Sequence, residues 1–208
     1  MNNQEQGLVV VQDIKRIMER SSRFISLSGW SGIAAGICAL VGAYTARHFI
    51  DGYQAGDTNG NGLLFLERVL LLVAGATFIA AFVLAFIFTY VRSRREGVPV
   101  WGTSAKRLML NTAVPLLAGA MVVYRMLQLH EYGLIAPSSL IFYGLALVNG
   151  SKYTLGEVRY LGYCQVILGI IGLWMPGNGL FFWALGFGVL HIFYGVVMWW
   201  KYERRANR

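Results

Sequence analysis

The stretch VLLLVAGATFIAAFVLAFIFTYV, Val69–Val91, contains no charged side chain. Crossing ~30 Å of hydrocarbon takes about 20 mostly apolar residues in a helix, and this run is long enough. The run is continuous and does not alternate apolar with polar, which argues against a barrel strand. In lipid every backbone group must be satisfied within the segment itself, so a helix follows. Five further segments meet or approach the same standard, near Phe24–Ala46, Leu108–Leu129, Leu134–Val148, Val158–Trp174 and Leu180–Trp200. The fourth and fifth in chain order, Leu134–Val148 and Val158–Trp174, are short for a full crossing. The expected fold is all-α, a six-helix transmembrane bundle.

The composition agrees. Of 208 residues, 56% are apolar and 13% charged, where an ordinary soluble domain is nearer a quarter charged. Mean hydropathy is +0.53. A disordered chain, a disulfide-stapled secreted domain and an ordinary soluble enzyme are excluded on these grounds.

The basic residues orient the bundle. Lys15, Arg16, Arg20 and Arg23 precede the first span; Arg92, Arg94, Arg95, Lys106 and Arg107 lie between the second and third. Lys152 and Arg159 lie between the fourth and fifth, and Lys201, Arg204, Arg205 and Arg208 follow the sixth. These are 15 of the 18 Lys and Arg residues, all on one side, against Arg47, Arg68 and Arg125 on the other. The positive-inside rule then puts both termini in the cytoplasm of a cell inner membrane. The chain divides into residues 1–23, residues 24–200 spanning the membrane, and a short basic tail, 201–208. The net charge of +8 is a property of these juxtamembrane segments, and their scatter argues against nucleic acid as a partner. Within residues 8–23, Val10, Val11, Ile14, Ile17 and Met18 recur at helical spacing opposite Lys15, Arg16, Glu19 and Arg20. That pattern predicts an amphipathic helix lying on the inner leaflet, as a topology anchor or as a docking site for a cytoplasmic protein. No secretory signal is evident, and Cys38 and Cys164 both fall inside spans without metal-ligand spacing.

Helices in lipid associate through small residues. Ser28, Gly32, Ala35, Ala39, Gly42 and Ala46 step along one face of the first span. Gly162, Gln165, Gly169 and Gly172 do so on the fifth, and Ala184, Gly188, His191 and Gly195 on the sixth. These faces serve packing inside the bundle, packing in a homo-oligomer, or the lining of a pathway. His191 sits midway along its span. Folding the last two spans about Gly177 brings it level with Tyr163, Cys164 and Gln165, so Tyr163 or Gln165 is its expected hydrogen-bond partner. It is then a helix lock, a ligand contact or a member of a proton relay. On the third span Asn111, Pro115 and Arg125 share a face. Arg125 is expected to snorkel, to pair with Glu67 or Glu131, or to hold an anionic ligand or lipid head.

Arg47, His48, Asp51, Glu67, Arg68, His130 and Glu131 map to the non-cytoplasmic side. His48, His130, Glu67 and Glu131 are metal-ligating types without diagnostic spacing. The loop Asp57-Thr58-Asn59-Gly60-Asn61-Gly62 matches the first half of a calcium loop, with Asp57, Asn59 and Asn61 as ligands. Position twelve, however, is Arg68, and Asn and Gly are equally the residues of a plain turn. No nucleophile elbow, phosphate loop or redox cysteine pair is present. Phe181-Phe182-Trp183 at one end of the last span, and Trp199, Trp200 and Tyr202 at the other, form an interfacial belt.

The stretch Ile14–Gly29, KRIMERSSRFISLSG after the isoleucine, leading into Gly32, Gly36 and Gly42, resembles the opening of a group of small, uncharacterised multi-pass inner-membrane proteins of Bacteroidota. The resemblance implies a bacterial inner membrane and carries no site residue with it.

Three functions fit. The first is a non-enzymatic bundle that binds, senses or scaffolds a small ligand, lipid or partner protein through a polar pocket; Arg125, His191, Gln165, Tyr163 and Asn111 are the pocket residues. The second is a small transporter or channel using a His191/Arg125 pathway, although no matching pair of broken helices or internal repeat is visible. The third is a metal-dependent membrane enzyme at the outer interface. No cofactor is specified by any motif.

Overall fold

The computed structural model describes residues 28–56, 62–97 and 101–204. The predicted amphipathic helix of residues 8–23, the loop residues Asp57, Asn59 and Asn61, and the tail beyond Arg204 lie outside the described residues. Within them the chain is helical: α1 Gly29–Gln54, α2 Leu63–Glu96, α3 Thr103–Gln128, α4 Tyr132–Gly150, α5 Val158–Leu173 and α6 Gly179–Glu203. Five of the six are long and apolar enough to cross a membrane. The exception is α5, an apolar helix of 16 residues, which at 1.5 Å per residue is roughly 24 Å long and less than a full hydrocarbon thickness.

Successive helices run in opposite directions. One end of the bundle carries Arg92, Glu157 and Glu203; the other carries Glu67, His130 and the turn at Gly177, whose φ of +92° suits a residue without a Cβ. The packing order starts from α2, which lies on α1. Then α1 lies on α6, α6 meets α4 and α5, and α4 also packs on α3. The outermost helices, α2 and α3, present apolar side chains outwards. Leu72 (73% exposed), Phe78 (71%), Val114 (69%) and Leu117 (67%) have no neighbour among the described residues to cover them. Such a surface is unsustainable in water and ordinary in lipid, and the chain is a helical membrane protein on this ground.

Glycines set the closest approaches. A Cβ on Gly195 of α6 would stand 2.6 Å from the carbonyl oxygen of Gly29 and 2.6 Å from the amide nitrogen of Ile33. A Cβ on Gly36 would stand 2.7 Å from the carbonyl oxygen of Gly188. The α1 and α6 backbones therefore touch. Likewise, a Cβ on Gly144 of α4 would lie 2.7 Å from the carbonyl oxygen of Gly162 on α5. The small-residue faces predicted on α1, α5 and α6 are these contacts in part. Beyond Gly36 the α1 face changes role, as described below.

Two carboxylates fasten the Glu203 end. Ser28, the residue before α1, gives its helix no side-chain cap. Glu203 serves instead: Oε1 accepts from the Gly29 amide at 2.6 Å and the Ser28 hydroxyl at 3.1 Å, and pairs with Arg92 of α2 at 3.2 Å. A carboxylate at a helix N-terminus is favoured by the aligned peptide dipoles. Glu157, at the start of α5, accepts from Tyr202 Oη at 2.7 Å and from Lys201 Nζ. Partial burial pushes the Glu157 carboxyl up, but the hydrogen bonds from Lys201 and Tyr202 outweigh it and hold the group below its ordinary value. The stability Glu157 adds is thus present above the usual carboxylate range and is lost as pH falls through its depressed value.

The backbone contact predicts a sharp positional contrast. Gly195→Ala forces the α1–α6 interface apart and costs about 1–3 kcal/mol, read as a lower melting temperature in detergent. Gly75→Ala on α2, where a Cβ meets open space, leaves the melting temperature unchanged or raises it.

Candidate functional site

Polar residues inside the bundle form one knot where α4, α5 and α6 meet. The α6 backbone adopts a π-helical register over Ala184–Leu190. Within it the Gly186 carbonyl accepts from Gln165 Nε2 at 2.8 Å and from His191 Nδ1 at 3.0 Å. With its proton on Nδ1, His191 presents Nε2 as an acceptor, and Tyr143 Oη donates to it at 2.8 Å. Gln165 is fully buried and His191 is 7% exposed. Among the described residues Gln165 Oε1 has no hydrogen-bond partner; it is packed on Gly186, where an added Cβ would stand 2.5 Å from it.

The fold-back estimate thus found Gln165 and not Tyr143. Tyr163 (46% exposed) and Cys164 turn outwards. The reason is rotational: residues two apart on a helix differ by roughly 200°, so Tyr163 and Gln165 cannot both face His191. The third partner comes from α4, and a hairpin drawn from two helices has no place for it. Sequence held one usable signal, a tyrosine beside Gly144 on a face that runs through Leu140.

The α3 residues do not join this knot. Asn111 Nδ2 donates to the Arg107 carbonyl of its own helix at 2.8 Å, and the Asn111 carbonyl receives Asn149 Nδ2 at 2.8 Å. Arg125 is exposed and donates to Gln128 at 3.0 Å, one turn along α3, reaching neither Glu67 nor Glu131. Arg125 and His191 are not brought together. Among the described residues no group of three His, Cys, Asp or Glu side chains is placed to hold a metal ion. His48 and Glu131 are exposed and separate.

Glu67 and His130 do meet, through a residue the sequence reading passed over. Tyr132 Oη donates to Glu67 Oε2 at 3.0 Å, and His130 Nδ1 lies 2.7 Å from the same phenol oxygen. The phenol has one proton and gives it to the carboxylate, so His130 is the donor in the second bond. His130 has φ +59°. It closes α3 with paired backbone bonds, His130 N to Leu127 O at 3.1 Å and Glu131 N to Met126 O at 2.9 Å. Glycine is the relaxed choice at that helix-end position; a residue with a Cβ costs about 1–2 kcal/mol there.

That chain stands at the edge of a cavity of about 570 Å³. The helix α2 packs on α1, and α4 packs on α3 and α5, which leaves a crevice between α2 and α4 with α1 and α6 behind. Small side chains create the space: Gly42, Ala43 and Ala46 on α1, Ala74 and Thr77 on α2, and Gly133, Ala136 and Ser139 on α4. Leucines and isoleucines fill much of the remaining wall, and among the described residues Glu67 is its one charged residue. The face read on α1 therefore splits: Gly32 packs on α6, as do Gly29 and Gly36 outside that face, while Gly42 packs on Thr77 of α2 and with Ala46 borders the crevice. Trp183 of α6 also lines the crevice. Its ring packs on Phe187 at 5.0 Å, and Phe187 packs on Tyr143 at 4.9 Å and on His191. An aromatic column thus runs from the crevice to the buried knot.

Compared with family models, with curated proteins and with solved structures, the chain gives no match in any of the three.

The knot predicts a stability effect specific to one tyrosine. Tyr143→Phe leaves His191 Nε2 unpaired and costs about 1–2 kcal/mol, seen as a melting point lower by several degrees, while Tyr163→Phe has no effect.

Proposed function

We propose that this chain is a six-span inner-membrane protein, with both termini in the cytoplasm, that binds a lipid-like ligand non-enzymatically in the crevice between α2 and α4. Membership in the Bacteroidota-type group suggested by residues 14–29 belongs to the same proposal. The orientation rests on the basic residues gathered at the Arg92 and Glu203 end. In that orientation the crevice and its Glu67–Tyr132–His130 edge lie in the outer half of the membrane. The short α5 is included as a span because its flanks Glu157 and Pro176 fall at opposite ends of the bundle, and its neighbours α4 and α6 are full-length. A short helix is accommodated by local thinning and by flanking residues that reach the interface.

The observation that carries the binding reading is the cavity itself. Its volume falls in the range of small-molecule pockets, about 300–1,000 Å³. Its wall is apolar with a single polar edge, a division that suits a tail and a head. The buried knot supports a structural part for His191 and Gln165, since His191 spends both ring nitrogens on Tyr143 and Gly186 and Gln165 spends its donor on the same Gly186 carbonyl. The pocket residues are then those of the crevice, with Glu67 and Tyr132 foremost.

Two measurements test this reading. A reporter enzyme fused after Arg208 is active only as a cytoplasmic fusion; activity of an exported reporter contradicts the orientation. Protein purified in mild detergent retains co-extracted lipid, and Ala74→Trp, which fills the crevice, lowers the retained lipid per protein about tenfold or more without changing the yield of folded monomer. Equal lipid content in the two proteins contradicts the binding site.

A further inference from the structure

We infer that the ligand of the crevice is a lipid whose head ends in a primary ammonium, and that the Glu67 carboxylate is its receptor. This rests on the binding reading above and adds the chemistry of the head.

Three observations point the same way. First, among the described residues Glu67 is the sole charged one lining the crevice, and the wall beside it is Leu63, Leu66 and Leu70 of its own helix. A carboxylate flanked by low-dielectric walls attracts a cation more strongly than it would in water. Second, the carboxylate is half satisfied. Among the described residues its hydrogen-bond partner is Tyr132, on Oε2, which leaves Oε1 to accept from a ligand. Third, the carboxylate is held in place. His130 donates to Tyr132, and Tyr132 donates to Glu67, so the group is oriented by a chain anchored in the α3–α4 turn. That turn is built on a histidine at φ +59°, where glycine is the unstrained residue.

The chemistry then discriminates among heads. An ammonium gives a charge-assisted hydrogen bond, about twice as strong as the neutral one a hydroxyl gives. A phosphodiester head that ends in hydroxyls brings negative charge to a negative edge and offers no cation in return. The apolar volume below takes acyl carbon in either case, so the tail supplies affinity and the head supplies selection.

The experiment uses the full chain in detergent. Binding of phosphatidylethanolamine, phosphatidylglycerol and diacylglycerol with identical acyl chains is titrated by native mass spectrometry. The wild-type protein binds phosphatidylethanolamine about tenfold tighter than phosphatidylglycerol. Glu67→Gln keeps an oxygen for Tyr132 but loses the charge, and brings the two phospholipids to within about threefold while diacylglycerol binding is unchanged. Tyr132→Phe, which keeps the charge and loses its orientation, weakens phosphatidylethanolamine alone by about three- to tenfold. A wild-type protein indifferent to head group, or a preference that survives Glu67→Gln, overturns this inference. If Ala74→Trp still weakens all three lipids in that event, the binding reading stands without it. If Ala74→Trp affects none of them, the binding reading falls as well. Should Glu67→Gln fail to fold, the wild-type head-group ratio and Tyr132→Phe decide the question.

Discussion

The contact on which the structure depends is backbone against backbone, α1 on α6. Gly29, Gly36 and Gly195 allow it, because side chains at those positions would occupy space that main-chain atoms already hold. In lipid, where no hydrophobic force draws one helix to another, such close packing is the chief source of association. It also has a polar consequence. Only when α6 lies this close can Glu203, from its last turn, reach the Gly29 amide and cap α1, and from there take Arg92 of α2 as a partner. Three helices are fixed at one end by a glycine contact and a single carboxylate. At the far end the same α1 stripe meets no glycine partner on α6. There Gly42 packs on Thr77 of α2 instead, and the crevice opens beside that contact, between α2 and α4.

The polar groups fall into two kinds. Those of the knot are largely consumed: His191 uses both ring nitrogens, Tyr143 its proton, and the Gly186 carbonyl takes two donors within a π-helical turn that opens the regular ladder. Widened turns of this sort recur at functional places in helices, and here the turn also carries Phe187, which links knot to crevice. At the Glu67 edge, among the described residues, one carboxylate oxygen is engaged by Tyr132 and the residue borders the crevice. The contrast fits a structural part for the middle of the bundle and the proposed recognition at its edge.

Much of this was legible in the sequence, and the gaps have physical causes. Uncharged runs gave the helices, since length and polarity alone decide whether a segment can sit in hydrocarbon. Val158–Trp174 read as short and α5 is the short helix, whereas Leu134–Val148 read as short too and α4 runs 19 residues, Tyr132–Gly150, because it extends past the apolar run at both ends. The small-residue faces were visible as periodicity. Periodicity, however, gives the face of one helix and not the neighbour it meets. Gln165 was found from a two-helix turn, whereas Tyr143 arrives from a third helix. Asn111 and Arg125 looked available as a pair at helical spacing, yet each satisfies itself within four residues on α3, a local solution that pattern reading does not weigh. Tyr132 was hidden by its type, a tyrosine at a span end being ordinary belt material. Glu203 had a signal, a lone carboxylate in a basic tail, but its target Gly29 lies at the other end of the chain.

The central claim is that the crevice takes an acyl chain. Its most direct test is a crystal structure of the protein grown in lipid with brominated acyl chains, read by anomalous scattering. The account predicts bromine peaks between Ala43, Ala74 and Ala136, inside the crevice and below Glu67. Bromine confined to the outward faces of α2 and α3, with α2 closed onto α4 and no space between them, would contradict it.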